Sequence, residues 1–283
     1  MRGGADEVVS LLRRAAEFLD SLGPVAVSSL ALDRDGDDLV LTVVFDHWQL
    51  PADLDYLDPR VAAGHFDVGQ HDDVDFMVAL AAELDAHTVV DVGCGTGQLA
   101  VALAAEGRRV IGVDPAKAML DLARTREGAD RVEWIWGDVG ALAARPDVVA
   151  DLIVMTGNIP SIFVTDDAWD AVLDALRGAL RVGGHLAFGG WNPDARPWEQ
   201  WSFDVALLPA GDGARVRVAD YPMELADGRE TLSAGSEWRY RTHEELTRSL
   251  TDAGFVVEQT FGDWRRSPLT STSPDIVLVA RRT

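Results

Sequence analysis

Apolar positions recur along the chain with two different periods, and the change from one to the other marks out its elements. Val8, Leu11, Leu12, Ala15, Phe18 and Leu19 fall three or four residues apart, which predicts a helix ended by Gly23-Pro24. The stretch VAVSSLALDRDGDDLVLTVVF alternates instead and turns at Asp35-Gly36, so it predicts a β-hairpin. A second helix runs from Asp72 to Leu84. Strand and helix patterns then take turns: strand 89–92, helix 97–106, strand 109–113, helix 116–124, strands 132–136 and 150–155, helix 167–180, strand 184–189. This order predicts an α/β fold, doubly wound, with a mostly parallel sheet and helices on both faces.

Beyond residue 190 the pattern changes. WSFDVALLPAGDGARVRVADYPMELADGRETLSAGSEWRY alternates and carries Asp-Gly pairs at 212–213 and 227–228, which predicts an antiparallel meander inserted at about 195–240. Thr242, His243, Glu244 and Glu245 read as a capping box opening a helix to about Ala253. Strands 255–260 and 275–281 bring the sheet to seven. The chain thus divides into an N-terminal helix-hairpin extension, 1–55, and a main domain, 56–283, that contains the insertion.

Charge narrows the partners. The 283 residues hold 47 acids against 25 bases, a formal net charge of −22, and no basic cluster exceeds a pair such as Arg265-Arg266. Nucleic-acid binding draws on Lys and Arg to displace counterions, so no nucleic-acid substrate is expected. No apolar run reaches membrane-spanning length, and the opening MRGGADEVVSLLRR has acids and arginines where a secretory leader has apolar residues. With Cys94 the only cysteine, the expected location is the cytoplasm.

The chemistry gathers at VVDVGCGTGQLA, residues 89–100. A glycine loop between a strand and a helix lets a ligand approach the backbone closely. Dinucleotide sites want G-x-G-x-x-G, but here Gly93, Gly95 and Gly97 are followed by Gln98, giving G-x-G-x-G. VVDVGCGTG resembles the first motif of the class I S-adenosylmethionine-dependent methyltransferases. That resemblance implies a Rossmann-like seven-stranded fold with S-adenosyl-L-methionine as cofactor and S-adenosyl-L-homocysteine as product. It implies that Asp91 and the amides around Gly93, Cys94, Gly95 and Gly97 face the methionine part. Asp114, ahead of Pro115 at the end of RRVIGVD, would hold the ribose hydroxyls, or else cap a helix. Asp138 and Val139, ending VEWIWGDV, would hold the adenine. ADLIVMTGN ends where the methyl group should lie, bringing in Thr156 and Asn158.

The likeness extends over about 56–283 to a small-molecule group with an inserted meander. In this chain Asn158 sits where a histidine is frequent in that group, and Gly189-Gly190-Trp191 replaces a more polar strand end. Before the first strand of the domain, Tyr56 and Arg60 are candidates for the cofactor's carboxylate and His65 for a base. Otherwise His65 is a surface or core-edge residue. Asn158 can orient an acceptor but cannot take a proton. Trp191 and Trp198 are expected to line the substrate pocket. Trp134, Trp136, Trp201, Trp238 and Trp264 are read mainly as packing. His65, Asp67, His71 and Asp72 crowd together, yet Asp72 and Asp73 read as helix caps, so no metal is expected.

The implied activity is methyl transfer to an oxygen, nitrogen or carbon of a small metabolite such as a natural-product intermediate. Two alternatives stay open: a non-methylating enzyme on the same fold, such as a cyclase or isomerase, and a non-enzymatic module. The expected partner is the small molecule, with a homodimer also considered, since LVLTVVF is too apolar for an exposed edge.

Overall fold

The computed structural model describes residues 27–35, 38–45, 72–200, 205–208, 213–224 and 231–283. The expected helix over 8–19, the turn at 227–228, and Tyr56, Arg60, His65, Asp67, His71 and Trp201 lie outside them. The hairpin consists of β1 (Val27–Asp35) and β2 (Asp38–Phe45), antiparallel with Asp35 opposite Asp38. Then follow α1 (Asp72–Glu83), β3 (Thr88–Val92), α2 (Gln98–Ala105), β4 (Arg109–Asp114), α3 (Lys117–Ala123), β5 (Val132–Trp136) and β6 (Ala150–Met155). Next come α4 (Asp166–Ala179) and β7 (Leu180–Trp191), with the meander strands β8 (Val205–Leu208), β9 (Ala214–Glu224) and β10 (Thr231–Tyr240). The last elements are α5 (His243–Asp252), β11 (Phe255–Phe261) and β12 (Asp275–Arg282).

Seven strands form one sheet in the order β11-β12-β7-β6-β3-β4-β5. β12 is antiparallel to both its neighbours, while β7, β6, β3, β4 and β5 pair in parallel. Side chains alternate across the strands, as a pleated ribbon requires. Val90, Val92, Ile111, Val113, Ile153 and Met155 pack on the face covered by α4 and α5. Val89, Val110, Leu152 and Val154 pack on the opposite face, against α1 and α2. The chain winds from β3 outward to β5, then returns past β3 to β6. The tips of β3 and β6 therefore flank the reversal in strand order, where such sheets leave a crevice for ligands.

The helices follow from local chemistry. Thr165 caps α4 by accepting from the Ala168 amide, and Asp166 and Asp167 complement the positive end. Trp169, Val172, Leu173, Leu176 and Ala179 then make one buried stripe. Thr242 and Glu245 form the expected capping box on α5. β7 differs from the sequence reading. It begins at Leu180 rather than 184 and runs through Gly183-Gly184, because a register shift against β6 between Ala150 and Leu152 absorbs the glycines.

The meander is a separate antiparallel sheet in the order β10-β9-β8, and β2 approaches β10. An ion pair ties its root to the main sheet. Arg239 Nη2 donates to Glu245 Oε1 at 2.5 Å with both side chains under a tenth exposed, and Glu245 Oε2 accepts from the Thr242 amide. Glu245→Ala would remove the cap and leave a buried guanidinium without its counter-charge. Losses of about 3–5 kcal/mol follow from breaking such pairs. Urea unfolding should show a loss in this range, and one under 1 kcal/mol would refute the tie.

Candidate functional site

Asp91 lies at the tip of β3, 1% exposed, on the α1–α2 face by its register with Val89. Its Oδ2 has no hydrogen-bond partner. Burial pushes its pKa up to about 8, the charges of Asp114 and Asp73 push the same way, and the Ala100 amide pulls against them. Leaving one oxygen of a buried carboxyl without a partner among the described residues is costly, and a cationic or hydrogen-bonding ligand would offset that cost.

The loop that follows has left-handed backbone at Gly93, Gly95 and Gly97. Four of its amides are engaged within the protein. Those of Gly93 and Cys94 donate to the Val113 carbonyl, that of Gly95 to Asp114 Oδ2, and that of Gly97 to the Cys94 carbonyl. What the loop offers is shape. A Cβ on Gly95 would meet nothing within 4 Å, so the backbone there borders open space that a ligand can enter. A Cβ on Gly97 would meet Trp134 at 2.5 Å, so the third glycine admits the indole beneath the start of α2. Cys94 is buried, and burial, with Asp91 and Asp114 adding, pushes its thiol well above the ordinary value. It is packing, with no nucleophilic character.

Asp114 ends β4, 3% exposed. Its Oδ2 accepts from the Gly95 amide and its Oδ1 from the Ala116 amide, each at 2.8 Å, so it joins the two strand tips. Burial raises its pKa to about 6 against the pull of those amides. It does not cap α3, whose N-cap is Ala116. Each carboxylate oxygen keeps a lone pair for a hydroxyl. One strand further, Asp138 is exposed and Oδ1 accepts from the Gly140 amide, while Val139 packs partly into the core. Trp136, opposite Asp114 in register and 49% exposed, donates from its indole nitrogen to the Pro115 carbonyl.

On the other side of β3, Thr156 is half-buried past the tip of β6, and Asn158 takes a left-handed turn at φ 61. Asn158 Oδ1 accepts from the Trp191 amide at 2.7 Å, joining the tips of β6 and β7. The rings of Trp191 and Trp198 both stack on Tyr240, each with its centroid 5.8 Å from that of the tyrosine. Trp198 is buried and Trp191 half-buried. A cavity of about 20 Å³ lies between Pro160, Ser161, Phe188, Gly190, Trp191 and Tyr240, room for about one water and not for an acceptor. Asp275 is half-buried, its backbone opposite that of Trp191 in register.

The structure thus brings together Asp91, Gly93, Cys94, Gly95, Gly97, Asp114, Pro115, Asp138, Val139, Thr156, Asn158 and Trp191 along one sheet edge. The set fits a ligand with a cationic end and a hydroxylated sugar: Asp91 lacks a donor, Gly95 borders open space, and Asp114 retains lone pairs. Among the described residues no group of three His, Cys, Asp or Glu side chains can hold a metal ion, and no helix is long and apolar enough to cross a membrane.

Residues 89–184 match a family described as a methyltransferase domain. The chain is 27% identical over 209 residues to a cypemycin N-terminal methyltransferase of a Streptomyces species, covering 70% of this chain and 84% of that protein. It is 32% identical over 148 residues to a trans-aconitate 2-methyltransferase of Paracidovorax citrulli, covering 48% of this chain and 55% of that protein. Among solved structures, the CcbJ methyltransferase of Streptomyces caelestis superimposes with TM-score 0.61 at 20% identity, over 77% of this chain and 98% of that one. The S-adenosylmethionine-bound amino pentose methyltransferase CalS10 of Micromonospora echinaspora does so with TM-score 0.54 at 23% identity, over 81% and 98%. Strand order, the glycine loop with its two buried carboxylates, and the matched segment converge: residues 89–184 carry a methyltransferase domain, and the chain has the Rossmann-like fold of the S-adenosylmethionine-dependent methyltransferases.

Proposed function

We propose that the chain methylates a small metabolite in the cytoplasm, with the cofactor held along the edge from β6 to β5. The observation that carries this reading is the buried Asp91 carboxylate with a partnerless oxygen beside Asp114 at the switch in strand order. S-adenosylmethionine supplies a methyl group on a positively charged sulfur, and what remains for the protein is alignment and exclusion of water. Asp91 faces the cationic methionine end, and the glycine loop from Gly93 to Gly97 gives it unobstructed backbone. Asp114, with Pro115 behind it, holds the ribose hydroxyls by charge-assisted hydrogen bonds. Asp138 and Val139 take the adenine edge, with the exposed Trp136 beside them.

On the acceptor side, the Trp191 amide fixes Asn158 Oδ1, which leaves the Asn158 NH2 as the donor for orienting the incoming group. Thr156 and Trp191 border the same place, and Trp198 supports Trp191 through Tyr240. Tyr56, Arg60 and His65 keep the roles that the resemblance gives them, on the cofactor carboxylate and on a departing proton. The relatives' activities, N-terminal methylation and methylation of trans-aconitate, support a small acceptor or a free end rather than a nucleic acid. The net charge of −22 supports the same exclusion.

Calorimetry with S-adenosylhomocysteine tests the site directly. Asp114→Ala should weaken binding at least tenfold, since a hydrogen bond to a charged group contributes about 1.5–3 kcal/mol. Unchanged affinity in a folded variant would remove Asp114 from the site. The ligand-free protein should lose stability as pH rises from about 4 toward 8. An unfolded aspartate ionises near a pKa of about 3.9 whereas Asp91 keeps its proton to about 8, so the native state binds more protons throughout that window. Asp91→Asn should therefore melt above the parent at pH 9, with the gap closing toward pH 4. Parallel melting curves for parent and variant across that range would show Asp91 to be ionised and partnered.

A further inference from the structure

The turn that leaves the tip of β6 touches both halves of the proposed site. Ile159 donates its amide to the Thr156 carbonyl at 3.3 Å, and Gly157 and Asn158 between them are left-handed, at φ 64 and 61. That is the backbone of a primed β-turn, which leaves its residues little independent motion. Ser161, 4% exposed, locks the turn further. Its amide and its Oγ both donate to the Asn158 carbonyl, at 2.9 and 2.7 Å. Asn158 and Ile159 therefore move as one piece.

The two side chains of that piece have different partners. Ile159, half-buried against the core on the α4–α5 face, sits on the bare backbone of the glycine loop. A Cβ on Gly93 would come within 2.7 Å of Ile159 Cγ1 and closer still to its Cδ1, so the first glycine is the seat of this isoleucine. Asn158 reaches the other way, where its Oδ1 accepts from the Trp191 amide at 2.7 Å. Gly93 follows β3 and Trp191 ends β7, with β6 between those strands, so the turn bridges the two outer tips by direct contact.

Two residues along the loop from Gly93, Gly95 borders open space. A ligand resting there braces the loop from outside, and close packing passes the restraint through Ile159 to the turn. We propose that Ile159 is a positioning residue that ties Asn158 to the cofactor loop, so that the acceptor-orienting amide becomes fixed when the cofactor is seated. The inference rests on the methyltransferase reading above and adds an order to it: cofactor first, acceptor second. In energetic terms, opening the bond between Asn158 and the Trp191 amide costs more with the loop occupied than with it empty.

The test follows exchange of the Trp191 amide hydrogen by NMR, on the full chain with and without saturating S-adenosylhomocysteine. The ligand should slow this exchange at least tenfold in the parent. Ile159→Val keeps Cγ1 on Gly93 and should keep the slowing. Ile159→Ala removes the contact and should bring the slowing below threefold, with S-adenosylhomocysteine affinity within about twofold of the parent, which also certifies the fold. Asn158→Gly suits the left-handed backbone, deletes only the acceptor of the Trp191 amide, and should lose the slowing as well. General stabilisation by the ligand would slow the amide equally in parent and variants. Slowing that survives Ile159→Ala or Asn158→Gly, or no slowing in the parent, would overturn the assignment. Failure of S-adenosylhomocysteine to bind the parent would strike the methyltransferase reading instead.

Discussion

The burial of Asp91 and Asp114 at adjacent strand tips is the constraint around which the rest of the edge is arranged. Two carboxylates withdrawn from water repel each other and lose hydration, and the protein treats the two differently. Asp114 receives two backbone amides and becomes a fixed part of the frame. Among the described residues Asp91 keeps one oxygen without a donor, a local deficit that a ligand would remove. The packing around them carries that deficit. α1 and α2 close one side with Phe76, Met77, Leu80, Leu99 and Leu103, and Trp134 fills the space beneath Gly97. Burial of large apolar side chains, at about 1.5–3 kcal/mol each, is what allows a strained polar edge to persist.

Much of this arrangement was legible in the sequence because it rests on short-range signals. The strands between 89 and 155 are apolar runs ended by a charged or small residue, and the observed bounds differ from the expected ones by a residue or so. The capping box at Thr242 was equally local. β7 was misjudged at its start because Gly183-Gly184 resembles a break, and only pairing with β6 shows that the strand runs through a register shift. The glycine loop lies where the motif puts it, between β3 and α2, while its internal hydrogen bonds are visible only in the fold. Whether an amide points at a ligand or at the Val113 carbonyl depends on how two strands meet, which no motif records.

In the proposed function, cofactor and acceptor draw on different parts of the chain. The proposed cofactor edge is made of strand tips whose geometry the sheet dictates, and that fold is shared with a structure 20% identical. The proposed acceptor side is assembled from the β6 tip, the end of β7 and the root of the meander. There the Trp191–Tyr240–Trp198 stack and the Arg239–Glu245 pair fasten the insertion to the sheet. Identity of substrate resides in such grafted pieces rather than in the fold. Conserving the frame while exchanging the insertion lets one cofactor site serve many acceptors.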